Sequence, residues 1–255
     1  MSAIQRVLIA NRGEIALRIV RACHDEGLAA VAVCSDADRA SPYVRAADAV
    51  VAIGPAPASQ SYLRIDRLIE AARQSGAQAI HPGYGFLSER AAFAEAVEQA
   101  GLIFIGPSSA AIRAMGDKTE ARRRMHAAGV PVVPGGMASL ASDAEALALA
   151  DSIGYPVIVK AAAGGGGRGM RVVTRVEDLP VALRTAAAEA EKAFGDAKIY
   201  LEKFIERPRH VEIQILADHE KTIHVGEREC SIQRRHQKLV EESPSTVVTP
   251  QLRRE

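Results

Sequence analysis

The sequence predicts an α/β protein with a mostly parallel, helix-covered sheet in its first part and a differently built sheet region in its second. Short apolar runs alternate with helical patterns as far as about residue 115, as expected for repeated βα units. Beyond residue 198, extended segments follow one another without intervening helical patterns. The change in pattern predicts two domains with a boundary at 115/116.

The first region contains five predicted strands and three predicted helices. The strands are expected at 7–10, 30–34, 49–53, 77–80 and 103–105, and the helices at 14–26, 63–74 and 88–99. Gly76 and Gly101 follow two of these helices, where a C-terminal capping glycine belongs. Ligands of such sheets bind at the carboxyl ends of the strands. Residues 11–14 (NRGE) and 81–88 (HPGYGFLS) lie at such ends.

The second region begins with two predicted helix starts. Asp117 precedes Glu120 by three residues, and Ser142 precedes Glu145 by three, which is the spacing of a capping box. The proline- and glycine-rich stretch 129–136 predicts a boundary between a helix and a new sheet.

Three extended segments are predicted after the second helix, at 198–204, 209–216 and 222–227. Polar and apolar residues alternate cleanly along the middle segment, which predicts one buried face and one solvated face. The solvated face would carry His210, Glu212 and Gln214 and is expected to line a site.

Composition excludes several classes of function. Of 255 residues, 48% are hydrophobic and 25% charged, as in globular proteins, and the net charge of +1 provides no field for nucleic acid or an anionic membrane. The first twelve residues are too few and too polar for a signal peptide or a span. Three widely spaced cysteines without a CxxC pair argue against disulfides and zinc, and indicate a cytoplasmic protein.

Residues 155–170 (YPVIVKAAAGGGGRGM) are the most informative stretch. A short apolar strand delivers Lys160 and is followed by four consecutive glycines and Arg168. Consecutive amides without Cβ atoms form an anion nest, and a nearby lysine suits phosphate. The spacing matches neither a P-loop nor a dinucleotide fingerprint. A flexible surface loop beside an ordinary strand-end lysine is the alternative; we favour a nucleotide phosphate loop.

Four segments of the chain have distinctive sequences: residues 10–16 (ANRGEIA), 81–89 (HPGYGFLSE), 155–170 and 229–242 (ECSIQRRHQKLVEE). Together they resemble the biotin carboxylase family, and they occur in the family's order. The resemblance runs from about residue 4 to the end of the sequence. It implies a Rossmann-like parallel-sheet domain at 1–115 and an incomplete ATP-grasp domain at 116–255. Within the latter, a lid subdomain at about 131–204 and the start of a C-terminal subdomain at 205–255 are expected.

The resemblance implies ATP-dependent activation of bicarbonate as carboxyphosphate and carboxylation of biotin. This is the first half-reaction of acetyl-CoA, other acyl-CoA and pyruvate carboxylases. The implied cofactors are ATP, Mg²⁺ (or Mn²⁺) and biotin, the last as a substrate on a carrier protein or domain. A carboxyltransferase and a second copy of the chain are the other implied partners. Arg18, Arg21 and Asp25 share a helix face that the resemblance makes a candidate subunit contact.

The resemblance also assigns residues to ligands. Lys238 falls on a bicarbonate position and Tyr84 on a biotin position. The ATP-binding positions are Lys118, Lys160, Gly165, Gly166, Gly167, Met170, Glu202, Lys203, Phe204, Ile205, His210, Gln233 and His236. No catalytic residue is assigned within 1–255, and buried Cys230 is interpreted as a small apolar residue. Without the resemblance, the basic run 234–238 would be a solvated surface or, less favourably, an RNA-binding patch.

The metal ligands of the family are expected beyond Glu255. Glu241 and Glu242 are adjacent, so on a strand they point to opposite faces and cannot both grip one ion. We therefore expect the 255 residues alone to be inactive, with an uncovered apolar face near Ile213, Ile215 and Val225. The alternatives are a non-catalytic nucleotide-binding or assembly module and another ATP-grasp ligase such as carbamoyl-phosphate synthase. The motifs HPGYGFLSE and QRRHQK together argue against the second.

Overall fold

The computed structural model describes residues 4–162, 170–218, 220–234 and 237–254. The chain divides into two compact units, Met1–Gly116 and Asp117–Glu255, called here the N-terminal and C-terminal units. No helix in the described part of the chain has the length and apolar character needed to cross a bilayer. The three cysteines are buried free thiols.

The N-terminal unit is built around a five-stranded parallel sheet in the order β3-β2-β1-β4-β5. Its elements are β1 (Arg6–Ile9), α1 (Gly13–Asp25), β2 (Ala29–Ser35), α2 (Pro42–Ala46), β3 (Ala49–Gly54), α3 (Ile65–Ser75), β4 (Ala79–His81), α4 (Ala91–Gln99), β5 (Ile103–Phe104) and α5 (Ser109–Gly116). The order reverses between β1 and β4, which creates the switch point typical of doubly wound sheets. The predicted α/β fold with a Rossmann-like sheet is confirmed.

Both faces of this sheet are covered, which explains its continuous apolar strands. Leu8 packs into one core cluster, whereas its neighbours Val7 and Ile9 pack into the other. The alternation of side chains along a strand sends successive residues to opposite faces. A charged residue at any of these three positions would therefore lie inside a core.

In the N-terminal unit, the element boundaries differ from the predicted ones by at most three residues. α3 begins at Ile65 and α4 at Ala91, later than predicted, and the short helices α2 and α5 were missed. Gly76 caps α3 with φ of 67° and donates to the carbonyl of Arg73 at 3.1 Å, as predicted.

The C-terminal unit contains two three-stranded antiparallel sheets, in the orders β7-β6-β8 and β11-β10-β9. Its elements are α6 (Lys118–Ala127), α7 (Asp143–Ile153), β6 (Val157–Ala161), β7 (Arg171–Val173), α8 (Leu179–Phe194), β8 (Ile199–Lys203), β9 (Val211–Ala217), β10 (Thr222–Arg234) and β11 (Gln237–Glu242). The predicted extended segments are confirmed. The last predicted strand is longer than expected and pairs with β11, which was not predicted.

Both predicted caps form. Asp117 accepts hydrogen bonds from the amides of Thr119 and Glu120 at 2.9 and 3.0 Å. Ser142 accepts from the amide of Glu145 at 3.2 Å, while the Glu145 carboxylate returns to the amide of Ala141. These bonds satisfy amides that the first turn of a helix leaves without partners.

The prediction that β9 has one buried face is wrong for the described residues. Its apolar residues Ile213 and Ile215 are 55% and 52% exposed, and Val225 on β10 is 61% exposed. The alternation is real, but these apolar side chains are exposed within the part of the chain that the structure describes. The three residues at which an uncovered apolar face was predicted are therefore exposed, as expected.

Candidate nucleotide-binding site

Glu202 on β8 is the centre of a buried ionic cluster in the C-terminal unit. One carboxylate oxygen accepts from Lys160 on the adjacent strand β6, and the other lies 3.0 Å from Nη1 of Arg122 on α6. The side chains of Glu202, Arg122 and Lys160 are 8%, 12% and 24% exposed. A buried carboxylate requires such partners, since an unpaired charge there would lose its hydration without compensation.

Antiparallel pairing of β6 with β8 brings Lys160 and Glu202 together. Ile158 lies directly opposite Glu202, and Lys160 lies two residues further along the same face. The loop before α7 approaches from the other side of β8, where Gly135 forms a bridge with Glu202. A Cβ at Gly135 would lie 2.6 Å from the Cα of Glu202, so this approach requires glycine.

Lys118 opens α6 and brings a second ammonium group to this end of β6. Its Nζ donates to the carbonyl of Ala161 at 3.3 Å. Burial lowers the pKa of Lys118, and the positive charge of Lys160 lowers it further. An anion bound beside these two ammonium groups would offset their mutual repulsion. The donor set therefore fits the phosphates of a nucleotide.

The end of β8 turns its backbone toward neighbouring loops. The amide of Lys203 donates to the carbonyl of Pro134 at 2.7 Å, and the amide of Phe204 donates to that of Pro156 at 3.1 Å. The ammonium of Lys203 binds the carbonyls of residues 154 and 155 just beyond α7. Ile205 is exposed. The Lys203 side chain thus fixes the chain instead of pointing freely to solvent.

Four predicted ATP-binding residues, Gly165, Gly166, Gly167 and His236, lie outside the described residues. Met170, at the other end of the glycine stretch, is half-buried, and its carbonyl accepts from Arg171 at 3.0 Å.

His210 and Gln233 form a second polar group on the β9–β10 sheet. The Gln233 amide lies 2.7 Å from Nδ1 of His210 and donates to the carbonyl of Cys230 at the same distance. Nε2 of His210 lies 3.5 Å from a carboxylate oxygen of Glu212. His210 and Gln233, both predicted to bind ATP, are therefore in direct contact, and His210 also contacts Glu212.

Lys238 on β11 belongs to this same network. Its ammonium donates to Glu212, which also lies 3.4 Å from Arg228, while Glu241 stands 4.0 Å from both cations. The hydrogen bond from Lys238 lowers the pKa of Glu212, and the reverse interaction raises the pKa of Lys238. Lys238 is therefore held in its charged form.

Among the described residues, one group of side chains is close enough together to share a metal ion, and it does not suit Mg²⁺. Glu212, Cys230 and Glu241 offer three ligand atoms within 4.8 Å of one another. Mg²⁺ prefers oxygen ligands, whereas one of these donors is a thiol and both carboxylates already face Arg228 and Lys238. Burial raises the pKa of Cys230, which disfavours the thiolate.

Two buried carboxylates on β10 were missed by the sequence analysis. Glu227 accepts a hydrogen bond from Nη1 of Arg253 at 2.5 Å. Glu229 pairs with Arg209 and accepts a hydrogen bond from the hydroxyl of Ser245 at 2.9 Å. The hydrogen bond from Arg253 lowers the pKa of Glu227, and that from Ser245 lowers the pKa of Glu229. Their contacts hold residues 245–253 against β10, so their role is structural.

Arg122 was also missed, although the sequence contains a signal for it. It lies four residues after Lys118 on the same helix, so the two side chains share one face. That spacing indicates a common direction but not the partner, because Glu202 is eighty residues away.

Tyr84 lies in the N-terminal unit, in the loop after β4. Asn11 holds this loop by donating to the carbonyls of Pro82 and Tyr84, both at 2.8 Å. The exposed Tyr84 hydroxyl donates to Glu14 at the start of α1. His81 accepts from the amide of Gly83 at 3.0 Å, and burial lowers its pKa, so it organises the loop as a neutral imidazole.

Comparison with known proteins gives two family matches. Residues 3–112 match the biotin carboxylase N-terminal domain, and residues 117–255 match the ATP-binding domain of the carbamoyl-phosphate synthase L chain. The Pseudomonas aeruginosa biotin carboxylase is 54% identical over 99% of this chain and 57% of its own length. The chain thus spans little more than half the length of that relative.

Two solved structures are closely similar. The Campylobacter jejuni biotin carboxylase in complex with β-γ-ATP has a TM-score of 0.94 and 52% identity, covering 98% of this chain and 56% of that one. The biotin carboxylase domain dimer of Hydrogenobacter thermophilus 2-oxoglutarate carboxylase, with MgADP, ADP and bicarbonate, has a TM-score of 0.94 and 47% identity, covering 100% and 56%.

A parallel-sheet unit followed by an ATP-binding domain, with two neighbouring lysines, defines the chain as a protein of the ATP-grasp class. More particularly, the chain belongs to the biotin carboxylase family.

Proposed function

We propose that this chain carries the nucleotide-binding part of a biotin carboxylase. The reaction is the ATP-dependent activation of bicarbonate as carboxyphosphate, followed by carboxylation of biotin on a carrier protein. The observation that supports it is the convergence of Lys118 and Lys160 at the carboxyl end of β6, directly before the glycine-rich sequence.

ATP supplies the phosphoryl group that turns bicarbonate into an electrophile, and the protein's task is positioning and charge neutralisation. Lys118 and Lys160 would neutralise phosphate oxygens. The end of β8, from Glu202 to Ile205, would border the base, with Met170 and Gly165–Gly167 closing over the phosphates. His210, Gln233 and His236 would line the ribose and phosphate side, and Lys238 would hold bicarbonate. Tyr84 would contact biotin.

The wider assembly is also part of the proposal. We place the domain boundary at 115/116, with a lid subdomain at about 131–204 followed by the start of a C-terminal subdomain. The partners are a biotin carboxyl carrier, a carboxyltransferase and a second copy of the chain. The location is the cytoplasm. Support comes from the family match and from a relative whose biotin carboxylase domain is described as a dimer.

The test is isothermal titration of the 255-residue chain with MgATP, together with ADP release in the presence and absence of bicarbonate and free biotin. We expect ATP to bind, and Lys160→Met and Lys118→Met to weaken it by about tenfold or more, the scale of a lost charge-assisted contact. Lys192→Met is the matched control, because Lys192 is an exposed residue near the end of α8; this variant should bind ATP like the wild type.

ADP release separates the remaining possibilities. We expect none that depends on bicarbonate, because the grouped carboxylates of the described residues already face cations. Bicarbonate-stimulated release would refute that expectation and show that catalysis is complete within these residues. A folded chain that fails to bind ATP would refute the proposed function itself.

A further inference from the structure

Glu202 holds two cations, and they differ in how firmly they are fixed. Arg122 spreads its guanidinium over three acceptors: Glu202 at 3.0 Å, the carbonyl of Val133 at 2.6 Å and that of Gly136 at 3.3 Å. It also lies 5.8 Å from the centre of the Tyr200 ring. Such a planar, permanently charged group is held by its surroundings.

Lys160 has fewer contacts than Arg122: among the described residues, Glu202 is the one acceptor that the structure shows for its ammonium. Its side chain is twice as exposed as that of Arg122, and it reaches Glu202 through a flexible four-carbon stem. It also lies close enough to Lys118 to lower the pKa of that lysine. An anion between the two lysines would therefore compete with Glu202 for the Lys160 ammonium.

We propose that Arg122 is the positioning residue that keeps Glu202 neutralised when a nucleotide phosphate takes Lys160 away from it. With Arg122 in place, Lys160 can exchange a carboxylate oxygen for a phosphate oxygen, and Glu202 retains a counter-ion. Without Arg122, the same exchange would leave a buried carboxylate unpaired, so Lys160 would stay with Glu202. This inference rests on the proposed nucleotide function of Lys160.

A double-mutant cycle separates this charge effect from any effect on the loop that Arg122 holds. We expect Arg122→Met to weaken ATP binding by about 10- to 100-fold, the range for hydrogen bonds to a buried charge. In a Glu202→Gln background, the same substitution should cost less than about threefold, since no carboxylate remains to be neutralised. Arg122→Lys should restore part of the affinity because it keeps the charge.

Arg123→Met is the matched control. Arg123 lies next to Arg122 on α6 but is exposed and pairs with Glu120 at 2.8 Å on the surface. It should bind ATP like the wild type. Thermal unfolding of every variant checks that the C-terminal unit remains folded.

A second measurement needs no nucleotide. Acetylation of Lys160 by an activated ester, followed by mass spectrometry, reports how free its amine is. Arg122→Met should slow this reaction, because Glu202 then relies on Lys160 alone, and Glu202→Gln should accelerate it.

The inference would be overturned if Arg122→Met weakened ATP binding equally in the wild-type and Glu202→Gln backgrounds. It would also be overturned if Arg122→Met left the acetylation rate of Lys160 unchanged. If labelling responds as expected while the wild type fails to bind ATP, the coupling of Arg122 to Lys160 stands and the nucleotide function falls.

Discussion

Lys118 should take up a proton when a nucleotide binds. Burial and the charge of Lys160 lower its pKa in the free protein, so part of the population is neutral at a pH where an ordinary lysine is charged. A bound phosphate stabilises the charged form and raises that pKa again. Binding therefore captures a proton in the pH range between the lowered pKa and the pKa of the complex.

The number of protons taken up sets how steeply the affinity for ADP depends on pH. One lysine can contribute at most one proton, so the affinity for ADP should fall by up to about tenfold per pH unit in that range. The sign is fixed: affinity decreases as pH rises. The measurement is made from about pH 8 to 10, because the phosphate of ADP, with a second pKa of about 6, does not titrate there. A change of affinity in this range therefore does not come from the phosphate.

The assay is calorimetric titration with ADP in buffers of different ionisation enthalpy, which gives the number of protons exchanged. Lys118→Met should abolish the uptake and weaken binding, whereas Lys118→Arg should keep a permanent charge and abolish only the uptake. Uptake that persists in both variants, or proton release from the wild type, would refute the assignment of this proton to Lys118.

Three further predictions concern other parts of the chain. Asp117→Ala should destabilise the C-terminal unit by about 1 kcal/mol in denaturant unfolding, through loss of a helix cap. Because hydrogen bonds from the α6 amides lower the pKa of Asp117, the stability that its charge contributes is complete above the unfolded pKa and is lost as pH falls through the folded pKa. Asp117→Asn should keep much of the cap but lose this acid dependence, and an unchanged acid profile would contradict the explanation. Gly83→Ala should disorder the loop after β4, since φ is 65° and a Cβ would lie 2.7 Å from Nδ2 of Asn11; hydrogen exchange of the loop amides measures this, and unchanged protection would be a refutation. Replacing Ile213 and Ile215 together by threonine should reduce self-association in analytical ultracentrifugation, because both are exposed apolar side chains on one strand; equal association of variant and wild type would show that this face is not involved.

Local chemistry made much of the fold predictable. The βα alternation, the cap at Asp117 and the glycine ending α3 depend on neighbours within a few residues, and each was found where it was expected. The same holds for Lys160, because an apolar strand followed by glycines indicates its position directly. The late starts of α3 and α4 show the usual limit, since side-chain pattern places a helix better than it places its first turn.

Contacts between segments that are distant in the sequence could not be predicted from local sequence patterns. Burial of β9 was predicted from alternation, but alternation states only that two faces differ, and another element must cover one of them. Glu227 and Glu229 look like ordinary solvated charges along the sequence, and only the return of residues 245–253 buries them.

The sequence by itself therefore determined the family, the parallel sheet and the identity of the paired lysines, because these are written in short motifs and in periodicity. Only the tertiary structure decided what the lysines face. Glu202 and Arg122 come from a strand and a helix eighty residues apart, and their pairing exists because β6, β8 and α6 pack together. Charge neutralisation inside a protein is a property of three-dimensional neighbours, so no pattern along the chain could have shown it.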